Sequence, residues 1–430
     1  MEKENIIKIV EDNLCTGCGT CSIACAQQAI LMKRDRIGNI SPFVDADKCN
    51  HCGACYRVCP GIDVDDELFY NTTNITTSIV GEYKNVYVGQ ATDNLIYQNS
   101  QSGGSVSAIL KYLFKAGKID AALVVCQKNG MPFYKLITSK EQLRDCQKSQ
   151  YVSVDLVSGL KDAVSFPKIA VVGLPCHLEG IQKLQKMNSK YAKNVCYKIG
   201  LICGGTFPTI ISDVVFQLAR VEDKETARII WRFKDSNNYK QAKIQVFEKK
   251  GEGRISSKIL DRQIRHEAKH ILTPLRCRLC FDKLNLHADI VMGDPWGMSD
   301  INNEKGNNVI ITRTVLGEQL LHDAVVSGDI VTQSAPMEEV IKGQGIQNKI
   351  SYVQNSIQLY ERRGYKITGW AHWFKTVSAN NQHGELESEF STFEKLSGLE
   401  QDVILTKVIR TIRFKLMKNK IKSLINKLKY

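Results

Sequence analysis

The chain has 430 residues, 43% of them hydrophobic and 24% charged, with a formal net charge of +13. That length exceeds one small domain and fits two or three around a substantial core, and the composition excludes disordered, fibrous and membrane-spanning classes. The charged N-terminus has no apolar signal core and no run of about 18 apolar residues occurs, so a cytoplasmic protein is expected, one whose 15 cysteines point to metal or redox chemistry rather than disulfides.

Residues 1–70 carry the strongest signal. Cys15, Cys18, Cys21 and Cys25 follow C-x2-C-x2-C-x3-C, and Cys49, Cys52, Cys55 and Cys59 repeat that spacing with Pro60 behind. In a two-cluster ferredoxin run of this kind, the fourth cysteine of each motif ligates the other cluster. The spacing therefore predicts one [4Fe–4S] cluster on Cys15, Cys18, Cys21 and Cys59, and a second on Cys49, Cys52, Cys55 and Cys25. Gly17, Gly19 and Gly53 permit the tight turns such wrapping needs. Zinc knuckles pair two C-x2-C units across a longer spacer, a different pattern.

Residues 71–85 are Thr/Asn-rich and read as a linker. Beyond them NVYVGQA, DAALVVC, the start of KIAVVGLPCHLEGIQKLQK, YKIGLIC and ADIVMG read as strands alternating with amphipathic helices. The expected architecture is an α+β ferredoxin-type domain (1–70), then an α/β domain with a mixed, partly parallel sheet (86–350), then a helical, basic C-terminal region (351–430). Glycine- and cysteine-rich loops close several strands, where α/β folds place ligands. Cys176 and Cys203 end two of these strands, and Cys277 and Cys280 form a further C-x2-C. By spacing alone these four are either a third metal site or a mixture of buried free thiols with a zinc half-site or redox pair. Cys126 and Cys196 are expected in the apolar core, whereas Cys146 lies in a polar segment that offers it no role.

The segments SQSGGSVSAIL (100–110), QKSQYVSV (147–154), VVGLPCHLEGI (171–181), GLICGGTFP (200–208) and RCRLCFDKLNLHADIVMGDPWG (276–297) follow one another behind the ferredoxin-type run. In this combination the chain resembles the coenzyme F420 hydrogenase/dehydrogenase beta-subunit family over roughly residues 1–350. The resemblance implies bound FAD, a third [4Fe–4S] cluster on Cys176, Cys203, Cys277 and Cys280, and a redox partner protein or enzyme subunit. It implies hydride exchange with deazaflavin coenzyme F420 or another organic substrate, a sugar or glycan precursor being the rival in bacterial members. It places Ser102, Gly103, Gly104 and Ser105 at a helix N-terminus against the flavin, Lys148 and Ser149 within phosphate reach, and Gly204, Gly205, Thr206 and Asp294 along the same crevice. The plain alternatives are turn and cap glycines, a solvated Lys148, a turn-capping Asp294, a core Trp296 and, for His177, a helix-start polar residue instead of a proton donor.

Between Lys407 and Tyr430 there are nine Lys/Arg and no acid. Ile409, Ile412, Leu416 and Leu424 fall near one helical face, so residues 403–430 are expected to form a helix with an unburied apolar stripe, docked on an anionic membrane surface or a partner. No nucleic-acid partner is expected. The function read from these features is an iron–sulfur flavoprotein oxidoreductase. Its rivals are an electron-transfer subunit without its own substrate, serving a partner enzyme in polysaccharide biosynthesis for instance, and a non-redox zinc scaffold.

Overall fold

The computed structural model describes residues 5–64, 74–234, 243–250, 254–299, 306–367, 370, 371, 374 and 384–428. Near the N-terminus, strands β1 (Ile30–Arg34) and β2 (Ile40–Val44) form an antiparallel hairpin between two short helices, Thr20–Ala24 and Ala54–Arg57. These helices occupy equivalent places in the two cysteine runs, so the small region is α+β as its repeated spacing predicts.

The stretch expected to be a linker holds a helix at Ile75–Val80, while residues 71–73 lie outside the described residues. The Asn74 side chain accepts from the Thr76 and Thr77 amides at 3.0 and 3.3 Å, an N-cap arrangement. Ile75, Ile79 and Val80 are buried. Polar composition here serves a cap and one face of a docked helix rather than a free spacer.

The main body is an eight-stranded mixed sheet. Its strands are β3 (Asn85–Ala91), β4 (Ala121–Lys128), β5 (Met131–Ile137), β6 (Ile169–Gly173) and β7 (Val195–Leu201), followed later in the chain by three more. Between these groups a separate antiparallel sheet forms from β8 (Arg228–Phe233), β9 (Lys243–Lys250) and β10 (Arg254–Leu260). The sequence does not announce it, because β10 is exposed along most of its length and alternation is weak there. The large sheet is completed by β11 (Ile290–Gly293), β12 (Asn308–Thr312) and β13 (Ile330–Ser334) in the order β13-β3-β12-β11-β7-β6-β4-β5. Strands β4, β6, β7 and β11 are mutually parallel; β5, β12 and β13 run against their neighbours.

Both sheet faces are buried. Val291, Val309 and Ile311 enter one core, and Ile290, Met292 and Ile310 the other, as alternating side chains of a covered sheet must. Helix Ser105–Lys115 packs into the second core and helices Pro175–Lys186 and Ile210–Ala219 into the first. The ferredoxin-type region sits against the first-core side. Lys183 Nζ donates to the Cys59 and Asp63 carbonyls at 3.1 and 2.5 Å, and the Val157 amide to the Cys18 carbonyl at 3.1 Å.

The C-terminal part is helical, with Gly384–Ser397 and one long helix, Gln401–Leu428. The expectation of an unburied stripe is corrected. Ile404, Val408, Ile409 and Ile412 are buried core, and the helix packs on Gln263–Leu272 and Ile210–Ala219. Lys415 pairs with Glu267 at 3.3 Å and extends the docking by a turn. Among the described residues of this helix Val403, Phe414, Met417 and Ile421 are exposed apolar positions, the last three in its C-terminal half. The Leu424 side chain lies outside the described residues. Among the described residues no helix is long and apolar enough to cross a membrane.

Candidate functional site

Three cavities meet at the loop Ile202–Thr206, which follows β7. The first, of about 290 Å³, opens at the carboxyl ends of the parallel strands, where ligand crevices form in α/β sheets. The second, of about 50 Å³, is lined by Cys176, Cys203, Cys277 and Cys280 together, with Thr16 and Pro60 from the ferredoxin-type region. The third is an open cleft of about 610 Å³. Gly205 and Thr206 line all three.

The eight N-terminal cysteines gather in the small region. Cys18, Cys21, Cys55 and Cys59 are buried, Cys15, Cys25 and Cys49 half-buried, and Cys52 exposed. Burial pushes the Cys15 thiol up to about 12, and the nearby Cys18 adds to it. Burial raises Cys59 further, with Cys18 and Cys15 adding. Cys55 is raised by burial too, but its thiol neighbours are Cys25 and Cys52. Cys21 feels Cys18, Cys15, Cys59 and Cys55 on top of burial. The neighbours thus sort into Cys15, Cys18, Cys21 and Cys59 on one side and Cys25, Cys52 and Cys55 on the other, with Cys21 between the groups.

The distant set of four converges as well. Burial raises Cys176 well above its ordinary value, and Cys18, Cys203, Cys277 and Cys280 all add to it. So this cavity lies beside the ferredoxin-type cysteines, not apart from them. Cys203 repeats a local device of the N-terminal runs. The Gly205 amide donates to Cys203 Sγ at 3.4 Å, as the Gly17 amide does to Cys15 Sγ at 3.4 Å and the Gly61 amide to Cys59 Sγ at 3.3 Å. Amide donors two residues on stabilise thiolate, the form a cluster needs. Gly205 holds φ +108, a conformation that glycine alone adopts freely. Among the described residues no three His, Cys, Asp or Glu side chains close on a single-ion point. Cys176, Cys203, Cys277 and Cys280 border one cavity.

The strand-end cavity holds most of the expected flavin contacts, with differing tasks. Gly104 (φ +79) starts the Ser105–Lys115 helix. Ser102 Oγ donates to the Asn307 carbonyl, and a Cβ on Gly103 would lie 2.7 Å from the Gly89 oxygen, so this pair fastens the loop to β3 and to the segment leading into β12. Ser105 Oγ is buried on the cavity wall without a hydrogen-bond partner. Lys148 lines the same wall at φ +78, and burial lowers its pKa, with Arg228 adding. Ser149 is held through its amide by Gln101 Oε1 at 3.3 Å. Gly204 meets only Lys269 Nζ, at 3.6 Å from a Cβ. Val124, Val152, Val172 and Leu174 supply an apolar lining. An unpartnered hydroxyl, a half-buried lysine and a helix start beside an apolar slot fit a planar ring carrying phosphates.

His177 is structural. Its Nδ1 accepts from the Leu174 amide at 3.2 Å and its Nε2 donates to the Val154 carbonyl at 3.1 Å. Burial lowers its pKa to about 4. Asp294 ion-pairs with the buried Arg232, whose guanidinium lies 5.2 Å from the Trp296 ring centre.

Sequence reasoning missed the cationic cleft. Arg232, Arg262, Arg265, Lys269 and Lys283 line it, and Asp294 is the one carboxylate among its described lining residues. Arg265 stacks 4.7 Å from the Tyr151 ring and donates to the Trp231 carbonyl at 3.0 Å. Arg262, Arg265 and Lys269 share the helix Gln263–Leu272 and its N-cap, a basic run legible in the sequence, but only the fold brings Arg232 and Lys283 to it. Of the remaining cysteines, Cys126 is buried in the core as expected and Cys196 is not. Cys126 and Cys146 form a disulfide that ties β4 to the cavity wall, since they pack side by side although 20 residues apart. Cys196 is exposed, because it is the outward residue at the start of β7.

Comparison with known proteins agrees with this anatomy. Residues 86–161 match the N-terminal part, and residues 166–338 the C-terminal part, of the family described as coenzyme F420 hydrogenase/dehydrogenase beta subunit. Residues 14–61 match a 4Fe-4S dicluster domain. An F(420)H(2) dehydrogenase subunit of Methanosarcina mazei is 25% identical over 328 residues, 73% of this chain and 83% of that protein. The F420-dependent formate dehydrogenase 1 subunit beta of Methanococcus maripaludis is 29% identical over 58% of this chain and 61% of its own length. A chain of the F420-reducing [NiFe] hydrogenase complex from Methanosarcina barkeri shares the fold, with a TM-score of 0.52 and 20% identity over 67% of this chain and 95% of that one. A dicluster domain followed by both beta-subunit segments, in this order, places the chain in the coenzyme F420 hydrogenase/dehydrogenase beta-subunit family.

Proposed function

We propose that the chain is an iron–sulfur flavoprotein oxidoreductase holding two clusters in its N-terminal region, a third on Cys176, Cys203, Cys277 and Cys280, and FAD in the strand-end cavity. The clusters would carry single electrons and the flavin would convert them to hydride transfer. The observation that carries the reading is the shared loop Ile202–Thr206. Cys203, Gly205 and Thr206 of this loop line both the four-cysteine cavity and the strand-end cavity, and Thr16 and Pro60 of the ferredoxin-type region line the four-cysteine cavity as well.

The protein's own groups have definable tasks. Gly17, Gly61 and Gly205 amides hold thiolate sulfurs. The Ser105 hydroxyl and Lys148 ammonium would bind flavin phosphate. Cysteine-bearing loops are screened by burial except at Cys52, which is exposed and marks where a partner protein would exchange electrons. The cationic cleft suits an anionic organic substrate, with coenzyme F420 suggested by the names of the relatives. Those relatives are named as subunits, which supports a partner enzyme. A second reading concerns location. Exposed Phe414, Met417 and Ile421 beside Arg413, Lys418, Lys420 and Lys422 favour contact with an anionic membrane surface.

Anaerobic purification with iron, sulfide and flavin counted per chain tests the proposal. About twelve irons, three clusters of four, and one FAD that F420H2 reduces are expected. Eight irons would leave a two-cluster protein, and no flavin would leave an electron carrier without its own hydride chemistry. Three clusters and flavin without F420 turnover would move the substrate reading to another anionic hydride donor or acceptor.

A further inference from the structure

Arg276 sits between the two cysteine systems. It is 5% exposed. Its Nη2 donates to the Pro60 carbonyl at 3.2 Å, one residue beyond Cys59. Its guanidinium lies 5.3 Å from the Trp370 ring centre. Nε and Nη1 are buried with no hydrogen-bond partner among the described residues, and the residue lines the four-cysteine cavity. A buried donor left unpaired is costly, so a native site of this kind calls for an acceptor that protein atoms do not supply. Cys280, Glu179 and Cys277 line the same cavity and act electrostatically on Arg276, as Arg276 does on Cys15 from the ferredoxin-type side. Glu179 Oε1 lies 3.1 Å from Lys183 Nζ as an ion pair, and no hydrogen bond joins it to Arg276. The cavity that Arg276 lines is the one bordered by the four thiols.

We propose that Arg276 is a positioning residue between the clusters, its Nε and Nη1 donating to sulfur of the cluster held by Cys176, Cys203, Cys277 and Cys280, and its charge raising that cluster's reduction potential. The inference rests on those four cysteines holding a cluster. An arginine never deprotonates in a protein, so the charge is constant, and the Pro60 contact fixes the fork. Reduction adds one electron to the cluster and no proton to Arg276. A cation and two N–H···S bonds stabilise the more negative state, so the potential rises. That draws electrons from the ferredoxin-type clusters inward, toward the strand-end cavity. Lys349 lies near Cys280, Cys277 and Cys203 as a second cation but without a fork.

The test uses the full chain, purified anaerobically, as wild type, Arg276→Gln and Arg276→Lys. Iron per chain should stay the same. In a redox titration followed by electron paramagnetic resonance, the midpoint of one cluster should fall in Arg276→Gln by a tenfold change in electron sharing or more, about 59 mV for one electron, with Arg276→Lys between. Wild type labelled with 15N-arginine should show nitrogen coupling to that signal, lost in Arg276→Lys; this readout stands even where Arg276→Gln fails to fold. An unmoved midpoint at full iron content, or no nitrogen coupling in wild type, overturns the role of Arg276. Iron for only two clusters in wild type overturns the cluster itself, a separate result.

Discussion

Thr206 Oγ1 lies 3.8 Å from Cys277 Sγ. Thr206 lines both the four-cysteine cavity and the strand-end cavity, the crevice proposed for flavin. Removing Cys277 should therefore remove a cluster without removing the crevice. In Cys277→Ala, iron per chain should fall by about a third, one cluster of three. FAD content should hold, and reduction of the flavin by electrons supplied at the ferredoxin-type clusters should slow by orders of magnitude. Iron content equal to wild type would show that the four thiols hold nothing.

The Cys126–Cys146 bond closes a loop with a sequence separation of 20 residues. Cross-links of that span stabilise by roughly 3 kcal/mol through the unfolded chain. The double variant Cys126→Ala/Cys146→Ala should unfold at lower urea than oxidised wild type, and the gap should close once wild type is treated with a reductant. A gap that persists under reductant would mean that the two side chains matter for packing alone.

The contrast between these sites explains what a reader of the sequence sees. The ferredoxin-type cysteines declare themselves because their spacing is local. NVYVGQA is recognisable as a strand because it is β3 from Asn85 to Ala91. Cys176 and Cys203 are suggested by the logic of strand ends, but only the fold brings Cys277 and Cys280 to them. Arg276 meets Pro60 across 216 positions, and nothing in either neighbourhood foretells it. The Cys126–Cys146 pair escapes the sequence because compartment reasoning sets disulfides aside. The tail misleads for another reason. Its periodicity correctly marks an apolar face, yet periodicity does not say whether the chain's own helices cover that face.

Lys148 and Ser105 supply the phosphate-binding prediction. Both line the crevice, and neither the Lys148 ammonium nor the Ser105 hydroxyl has a hydrogen-bond partner among the described residues. A charge-assisted hydrogen bond is worth about 1.5–3 kcal/mol. Lys148→Gln should weaken FAD binding about tenfold or more, read by flavin release on dilution, while Lys148→Arg should keep most of it. Ser105→Ala should weaken it less. Iron content should not move in any of the three. Equal flavin retention in all variants would place the phosphates elsewhere, with the cationic cleft as the next position to probe.

The long C-terminal helix divides at about Ile412. Before it, Ile404, Val408, Ile409 and Ile412 are core; after it, Phe414, Met417 and Ile421 are 61%, 54% and 50% exposed beside four exposed basic residues, Arg413, Lys418, Lys420 and Lys422. The two halves should respond oppositely to mutation. Ile412→Ala opens a cavity and should cost about 2–5 kcal/mol in denaturant unfolding, with no effect on vesicle binding. Deleting residues 413–430 removes little core, although it breaks the Lys415–Glu267 pair and the 3.1 Å bond from Asn419 to Glu267. That truncated chain should keep its iron and flavin and lose its affinity for phosphatidylglycerol vesicles. Each basic residue near an anionic surface contributes roughly 1 kcal/mol, so wild-type binding should weaken steeply with salt. The double variant Phe414→Ser/Met417→Ser separates the apolar part from the charge. It should bind more weakly than wild type at every salt concentration while keeping the same salt slope. If wild type binds these vesicles no better than the truncated chain, the exposed stripe faces a protein partner, and co-purification of a partner protein that is lost on truncation becomes the expected result.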